Sequence, residues 1–450
     1  MTSSRHFFGT DGIRGPVNLH PMTAEFALHL AMATATVLRR TIPVPTVVIG
    51  MDTRRSGPML ESALVAGFTS MGVHCLQVGV VPTPALAYLT RHLKADTGVM
   101  ISASHNPYRD NGLKLFDPSG MKLPDSVEAT IEALLHEPDF TLPPGEEIGE
   151  DSHVEQAAEH YRKFCQELFP RNLSLKGLRI VVDCAHGASY RIAPKVLENL
   201  GAELILHGTL PNGRNINDKV GSLHPEVISQ GVVAHGAHLG IAFDGDADRV
   251  ILCDEKGRVL DGDHILAICG LEMKKRGTLK GGGIVATVMS NLGLEKLMQH
   301  HGLRLVRAAV GDRYVLEAML QGGYNLGGEQ SGHLLFLDRN STGDGLMSAL
   351  QVLEIMAGSG RSLGELASCL VTYPQILKNV RFSNGVDPMG DERVQEAIRE
   401  VESDLGEEGR VLVRKSGTEP KIRVMLEGDN QERIEELAER ICEVVRQVAG

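Results

Sequence analysis

Four short stretches carry residue types that can do chemistry. The first is "GVMISASHNPYRDNGLKLF" (Gly98–Phe116), in which an apolar run stops at Ser-Ala-Ser-His-Asn-Pro. Ser104 follows a predicted strand and precedes His105, Asn106 and Pro107. Strand ends are where α/β proteins present reactive groups, so the segment is either a polar loop closed by proline or the seat of a nucleophile. A nucleophilic hydroxyl needs a group to take its proton, and Lys114, brought back by the next strand, is one candidate. A lysine base must be neutral, so burial or a neighbouring cation must lower its pKa from ~10.4 by roughly three, worth ~4 kcal/mol.

The second stretch is "GIAFDGDADRVILCDEKG" (Gly240–Gly257), with Asp244, Asp246 and Asp248 at alternate positions after an apolar strand. Three carboxylates this close repel one another unless a cation joins them, and hard oxygen donors favour magnesium or calcium over zinc. An EF-hand is excluded: Arg249 stands where that loop needs glycine, and both flanks read as strands. Arg249 is placed to hold a phosphate beside the metal. The third stretch is "GGEQSGH" (Gly327–His333). If it is strand-like, Glu329, Ser331 and His333 share a face and can grip sugar hydroxyls or an amine; a plain polar hairpin is the alternative.

The fourth is "RKSGTEPKIR" (Arg414–Arg423), where Arg414, Lys415, Lys421 and Arg423 bracket Ser416, Gly417 and Thr418. Small residues expose backbone N–H groups, and with two hydroxyls and the arginines they make a phosphate cradle. Weaker signals are Thr10 and Arg14 in the glycine loop "FGTDGIRG", Asp312 in "GDRYV" as a helix cap, and His186 in "DCAHGA" as a structural turn residue.

These loops need elements to hold them. Apolar runs such as "TVVIG" (46–50), "TGVMISA" (97–103), "LRIVVD" (178–183), "HLGIAFD" (238–244) and "GGIVATV" (282–288) alternate with helical stretches. Continuous apolar strands separated by helices predict largely parallel sheets covered on both faces. The Pro-, Gly- and acid-rich segment 136–153 reads as a linker. Near 368–390 the alternation breaks, and a helix, a hairpin and a long helix over about 431–448 follow. At about 150 residues per domain, 450 residues predict roughly three domains.

A net charge of −12 argues against a nucleic-acid binder, so an anionic ligand must be held by local cations. The seven cysteines show no C-x-x-C spacing and read as reduced thiols of a cytoplasmic protein. No secretory signal and no apolar run long enough to span a bilayer is evident, which predicts no membrane association.

Hydroxyl, divalent-metal site, sugar loop and remote phosphate clamp together make a phosphoryl-transfer kit without a P-loop. The phosphate then comes from the enzyme itself or from the substrate. "SASHNP", "DGDADR", "GEQSGH" and "RKSGTEPKIR", in this order and at these separations, resemble the α-D-phosphohexomutases over essentially the whole chain. "FGTDGIRG", Gln330 in "GEQSGH" (typically Met in relatives acting on mannose or glucose phosphates) and "PNGRNIN" (211–217) resemble the branch acting on glucosamine phosphate. Val220 and His186 depart from that branch, outside the catalytic motifs.

The resemblance implies three α/β domains with mixed, largely parallel sheets plus a small C-terminal α+β domain around a central cleft. The expected bounds are 1–150 for the phosphoserine loop, 151–255 for the metal loop, 256–370 for the sugar loop and 371–450 for the phosphate loop. It implies one Mg2+ held by phosphorylated Ser104 with Asp244, Asp246 and Asp248. Lys114 becomes a candidate acid/base, supported by His105 and Arg249. Glu329, Ser331 and His333 are implied to grip the sugar, and Arg414, Ser416, Gly417, Thr418 and Arg423 the phosphate not in transfer. Glucosamine 6-phosphate and its 1-phosphate isomer would interconvert through a bisphosphate that turns over in the cleft, which calls for a hinged tail domain. A homodimer is compatible with this reading. Three rivals stay open: a mutase for another sugar phosphate, a phosphatase using Asp244 as nucleophile and Asp246 as acid/base, and a sensor that binds sugar phosphate without reaction.

Overall fold

The computed structural model of the protein describes residues 6–136, 140–383, 387–415 and 420–449. Each apolar run named above forms a strand, and the strands assemble into four sheets. In the first, Thr46–Met51 lies parallel to both Thr97–Ile101 and His74–Val80, and Asp110–Phe116 and Ile13–Pro16 complete one side antiparallel. Thr97–Ile101 is buried at every residue, as a strand covered on both faces must be. The second sheet sets Arg179–Asp183 between Glu203–His207 and Leu239–Phe243, then adds Val250–Asp254 antiparallel. The third sets Gly283–Thr287 between Arg304–Ala308 and Leu326–Gly328, closed by the antiparallel Leu334–Phe336. The fourth is antiparallel, Gln375–Arg381, Lys421–Gly428 and Gly409–Lys415, covered by the helices Glu392–Leu405 and Gln431–Ala449.

Two short strands cross the expected bounds. Asp151–His153 pairs with His74–Val80 of the first sheet, and Val259–Leu260 pairs with Val250–Asp254 of the second. Backbone pairing carries the chain along a sheet edge past the point where its composition changes.

The first three blocks are not separate in their packing. One apolar core runs from Val48 and Phe116 through Ile180 and Phe243 to Ala286 and Leu353, and the helix Gly345–Ser359 touches both the second and the third sheet. The tail has its own core, built on Val380, Val394, Leu426 and Ile441. A body with a private core can rotate without exposing another's, which suits a hinge. Among the described residues its polar ties to the third block gather at the turn 288–291. Arg410 donates to the carbonyls of Val288 and Ser290 at 2.8 and 3.1 Å while pairing with buried Glu427. Arg307 donates to the Ser290 carbonyl, and Gln375 to Glu427.

Asp263 braces that turn from behind, accepting from the Asn291 N–H at 2.7 Å. Burial, and then Asp261, push its carboxyl up to about 7. A carboxyl raised above its unfolded value of about 3.9 favours folding most at low pH, and that contribution is lost as pH climbs from about 4 through 7. Asp263→Asn keeps an acceptor for Asn291 and removes the loss. The variant is expected to gain about 2–4 kcal/mol over the parent at pH 8 and much less at pH 5, read by denaturation at both pH values. A difference that does not change with pH would contradict the assignment.

Candidate active site

The strand Thr97–Ile101 ends in a loop that puts Ser104 in the left-handed region, at φ 51°. In that conformation its buried hydroxyl leaves its own domain and donates to Asp244 Oδ2 at 2.6 Å, with His105 Nδ1 at 3.3 Å. The approach of the two loops is tight. A Cβ at Gly245 would lie 2.6 Å from the Ser104 carbonyl oxygen, so glycine between Asp244 and Asp246 is a packing requirement.

Asp244, Asp246 and Asp248 are buried, and their ligand atoms all lie within 4.8 Å of one another. Burial, followed by Asp248 and Asp246, raises the Asp244 carboxyl well above its ordinary range. Burial also acts on Asp248, but Lys114, His333 and Arg249 outweigh it and hold that carboxyl well below. Asp246 Oδ2 accepts from Thr83 at 2.6 Å and Lys114 at 2.8 Å. Asp246 Oδ1 and Asp248 Oδ1 are buried without a hydrogen-bond partner. Three converging carboxylates with two orphaned oxygens fit a hard divalent cation.

Lys114 reaches the site from the antiparallel strand Asp110–Phe116, as its position after "SASHNP" suggests. Its surroundings are opposite to those a neutral lysine needs. Asp11 at 3.0 Å, Asp246 at 2.8 Å and Asp248 at 3.3 Å more than offset the effect of burial and hold it as an ammonium. His105 goes the other way: burial, then Arg249 and Arg14, lower it to about 4, so the imidazole beside Ser104 is neutral at pH 7.

"GEQSGH" forms a turn where a strand face was expected. The Gly332 N–H donates to the Glu329 carbonyl, the Glu329 N–H to the His333 carbonyl, and Gly332 takes φ 89°. The turn reaches the metal loop through the Val250 N–H, which donates to the Gly332 carbonyl, and any Cβ at Gly332 would meet the Val250 carbonyl oxygen at 2.1 Å. Glu329 accepts from the Gly311 N–H at 3.0 Å and from exposed Ser331 at 3.2 Å. His333 lies between Asp248 and Asp312, at 3.7 and 3.5 Å. Burial lowers it, but Asp248, Asp312 and Glu329 prevail and bring it up to about 9.

Beside these groups lies one cavity of about 400 Å3, lined by residues of the first three domains; Ser104, Lys114, Asp244 and Asp246 are buried behind its wall and do not line it. Of the residues singled out in the sequence, Thr10, Arg14, His105, Asp248, Arg249, Glu329 and His333 line it. The Nε groups of Arg14 and Arg249 are buried without hydrogen-bond partners, although Arg249 Nε lies 3.8 Å from Asp248 Oδ1. Arg414 and Arg423 face each other on neighbouring strands of the tail, and Arg423 Nε also lacks a hydrogen bond. Ser416, Gly417 and Thr418 lie outside the described residues. No described tail residue lines the cavity.

Sequence reasoning missed a second ring of groups. Asp11 and Asp312 line the cavity and are bridged by Lys122, 2.5 Å from each, which ties the first domain to the third. Asp312 read as a helix cap; in fact Gly311 is the cap and the Asp312 carboxylate faces Lys122 and His333. Asp52 and Arg54 after the strand Thr46–Met51, and Asn217 in "PNGRNIN", hold the Ser104 loop from beneath. The available signal was "DTR" at the end of an apolar strand.

Comparison with known proteins agrees with this four-part fold. The family descriptions "Phosphoglucomutase/phosphomannomutase, alpha/beta/alpha domain I", "domain II", "domain III" and "C-terminal domain" match residues 5–142, 152–257, 261–373 and 377–444. The phosphoglucosamine mutase of Magnetococcus marinus is 56% identical, over 100% of this chain and 93% of that protein. That of Paramagnetospirillum magneticum is 52% identical, over 99% and 100%. Among solved structures, a phosphoglucomutase/phosphomannomutase family protein from Burkholderia thailandensis superposes with a TM-score of 0.82 at 23% identity, covering 98% of both chains. An Aspergillus fumigatus N-acetylphosphoglucosamine mutase, in complex with GlcNAc-6P and magnesium, gives 0.68 at 18% identity, covering 99% of this chain and 96% of that one. With four consecutive domain matches and full-length relatives at this identity, the chain belongs to the α-D-phosphohexomutases, isomerases of phosphosugars, and among them to the phosphoglucosamine mutases.

Proposed function

We propose that the cleft interconverts glucosamine 6-phosphate and glucosamine 1-phosphate through a phosphorylated Ser104 and a bisphosphate intermediate, supplying UDP-N-acetylglucosamine synthesis. The observation that carries this reading is the Ser104 hydroxyl 2.6 Å from one of three clustered, buried carboxylates. Those three aspartates and an oxygen of the phosphorylated serine would hold Mg2+, which when bound neutralises charge on the phosphoryl group in flight.

The protein's own residues supply the rest. The sugar O1 hydroxyl attacks the phosphoserine phosphorus in line; a P–O1 bond forms, the P–Oγ bond breaks, and the O1 proton is carried by the acid/base groups Lys114 and His105 to the departing Ser104 oxygen, which His105 Nδ1 faces at 3.3 Å. The Lys114 ammonium, buried against the triad, supplies a proton to the departing Ser104 oxygen. Arg14 and Arg249 meet the phosphoryl oxygens with unspent N–H groups. Glu329 and His333 hold the sugar, and Arg414, Arg423 and the loop between them hold the phosphate at its far end. The bisphosphate then turns over, and its 6-phosphate returns to Ser104 by the same steps reversed.

Among the described residues no helix is long and apolar enough to cross a membrane. The cysteines are unpaired, which fits a reducing cytoplasmic compartment.

Two measurements test the proposal together. Peptide mass analysis of the purified enzyme is expected to find phosphate on Ser104. A coupled assay is expected to give a higher kcat/KM for glucosamine 6-phosphate than for glucose 6-phosphate. A reversed ratio would reassign the substrate. Hydroxylamine-labile phosphate on an aspartate would favour the phosphatase chemistry instead.

A further inference from the structure

Ser104 depends on a side chain that never touches substrate. Arg54 is buried at 1% exposure, a position at which a guanidinium survives only if it is fully partnered. All five of its N–H groups are spoken for. Nη2 donates to the carbonyls of Ser104 and Asn106 at 2.9 and 2.8 Å, Nη1 to those of Pro107 and Asp110, and Nε to Asp52 Oδ2 at 2.9 Å. Asp52 Oδ2 also accepts from the Ser102 hydroxyl at 2.7 Å, and that same oxygen of Ser102 accepts from the Ser104 N–H at 2.9 Å. From the second domain, Asn217 Nδ2 donates to the Ser104 and Asn106 carbonyls at 2.9 and 3.0 Å. Both backbone polar groups of the serine are therefore fixed, and the fixing spans two domains.

This explains how a non-glycine residue keeps a left-handed conformation, which costs roughly 1–2 kcal/mol per residue. Ala247 in the metal loop and Ala185, His186 and Asn217 in the adjoining loops also have positive φ, between 50° and 58°. The Thr53 hydroxyl donates to the His186 carbonyl at 2.6 Å, and the Arg55 N–H to Gly213 at 3.0 Å. The segment 52–55 is thus gripped on one side by the nucleophile loop and on the other by the second domain.

Resting on the function proposed above, we infer that Arg54 is a positioning residue for phosphoryl transfer. By drawing four carbonyls of the 104–110 loop onto one buried guanidinium, it aims the Ser104 oxygen at the aspartate triad. A planar fork with five donors is what the site uses, and lysine, with three donors at one point, cannot reproduce it.

The test uses the full-length enzyme with Mg2+ and three separate variants, Arg54→Lys, Ser102→Ala and Asn217→Ala. Each is assayed for kcat and KM, for thermal midpoint, and for the 31P resonance of phosphorylated Ser104. Arg54→Lys is expected to lower kcat about 10²-fold, the scale of a misplacement of about 1 Å. KM stays within about threefold and the 31P resonance moves. Ser102→Ala and Asn217→Ala, which each remove one bond to the serine backbone, are expected to lower kcat about fivefold. A merely structural role would reduce the amount of folded protein and leave kcat per phosphorylated Ser104 unchanged. Unchanged kcat in all folded variants, or a rise in KM alone, overturns the inference. If Arg54→Lys does not fold, the other two variants decide it by the same criterion. Failure of the substrate assignment would appear in the parent enzyme, before any variant is made.

Discussion

Replacing Ser104 by alanine is expected to abolish mutase turnover, with kcat falling by about 10⁴-fold or more. The size follows from the division of labour in the cleft. Among the described residues the neighbouring hydroxyls are already engaged: Thr83 donates to Asp246 of the triad, and Ser102 donates to Asp52 and accepts from the Ser104 N–H. The loop itself is expected to survive, because Arg54 and Asn217 hold its backbone and not the Ser104 side chain. Alanine at φ 51° carries the same order of steric cost the serine already bears. Sugar-phosphate affinity, measured by calorimetry with glucosamine 6-phosphate, is therefore expected to stay within a few-fold of the parent while turnover disappears. Loss of binding together with turnover would mean that the loop had collapsed. Turnover within tenfold of the parent would remove Ser104 from the mechanism.

The sequence was most legible where chemistry and backbone direction coincide. A strand that ends in Ser-Ala-Ser-His-Asn-Pro, and another that ends in Asp-Gly-Asp-Ala-Asp, announce their reactive groups because strands of a largely parallel sheet end at the face where sites form. Burial patterns did the same for the fold, since a strand such as Leu239–Phe243, buried at every residue, can sit only in a sheet covered on both faces. What stayed hidden depends on contacts between distant segments. Asp11, Lys122 and Asp312 look like ordinary surface charges until 122 is brought against both 11 and 312. Arg54 lies fifty residues from the loop it holds, and nothing in "DTRRS" states which carbonyls it will meet. The alternation in "GEQSGH" was read with a period of two, and the turn at Gly332 brought Glu329 and His333 to the same cavity by another route. The electrostatic sign at Lys114 was also out of reach, because it is set by three carboxylates from two other loops.

Those carboxylates give the second large expectation. Asp246→Asn is expected to lower kcat by about 10³-fold at ordinary Mg2+ concentrations, equivalent to several kcal/mol of charge stabilisation. Asp246 presents one oxygen to Thr83 and Lys114 and the other, Oδ1, to no donor at all. An amide cannot serve both sides: if its oxygen keeps Thr83 and Lys114, its NH2 faces the cation, and if it is flipped, the NH2 faces two donors. The loss is thus built into the geometry and is not a matter of charge alone. A readout independent of catalysis separates this from general damage. In the parent, Mg2+ is expected to raise the thermal midpoint by stabilising the folded state, and chelation to reverse it. In Asp246→Asn the Mg2+ concentration giving half of that rise is expected to increase by about 10²-fold or more. In the absence of metal the variant is expected to be no less stable than the parent, because one of three clustered buried carboxylates is gone, and burial, followed by Asp248 and Asp246, is what raises Asp244. A variant that binds Mg2+ as the parent does, or an enzyme whose turnover survives chelation, would show that the triad is not a cation site. The pairing of Ser104 with Asp244 would then need another explanation.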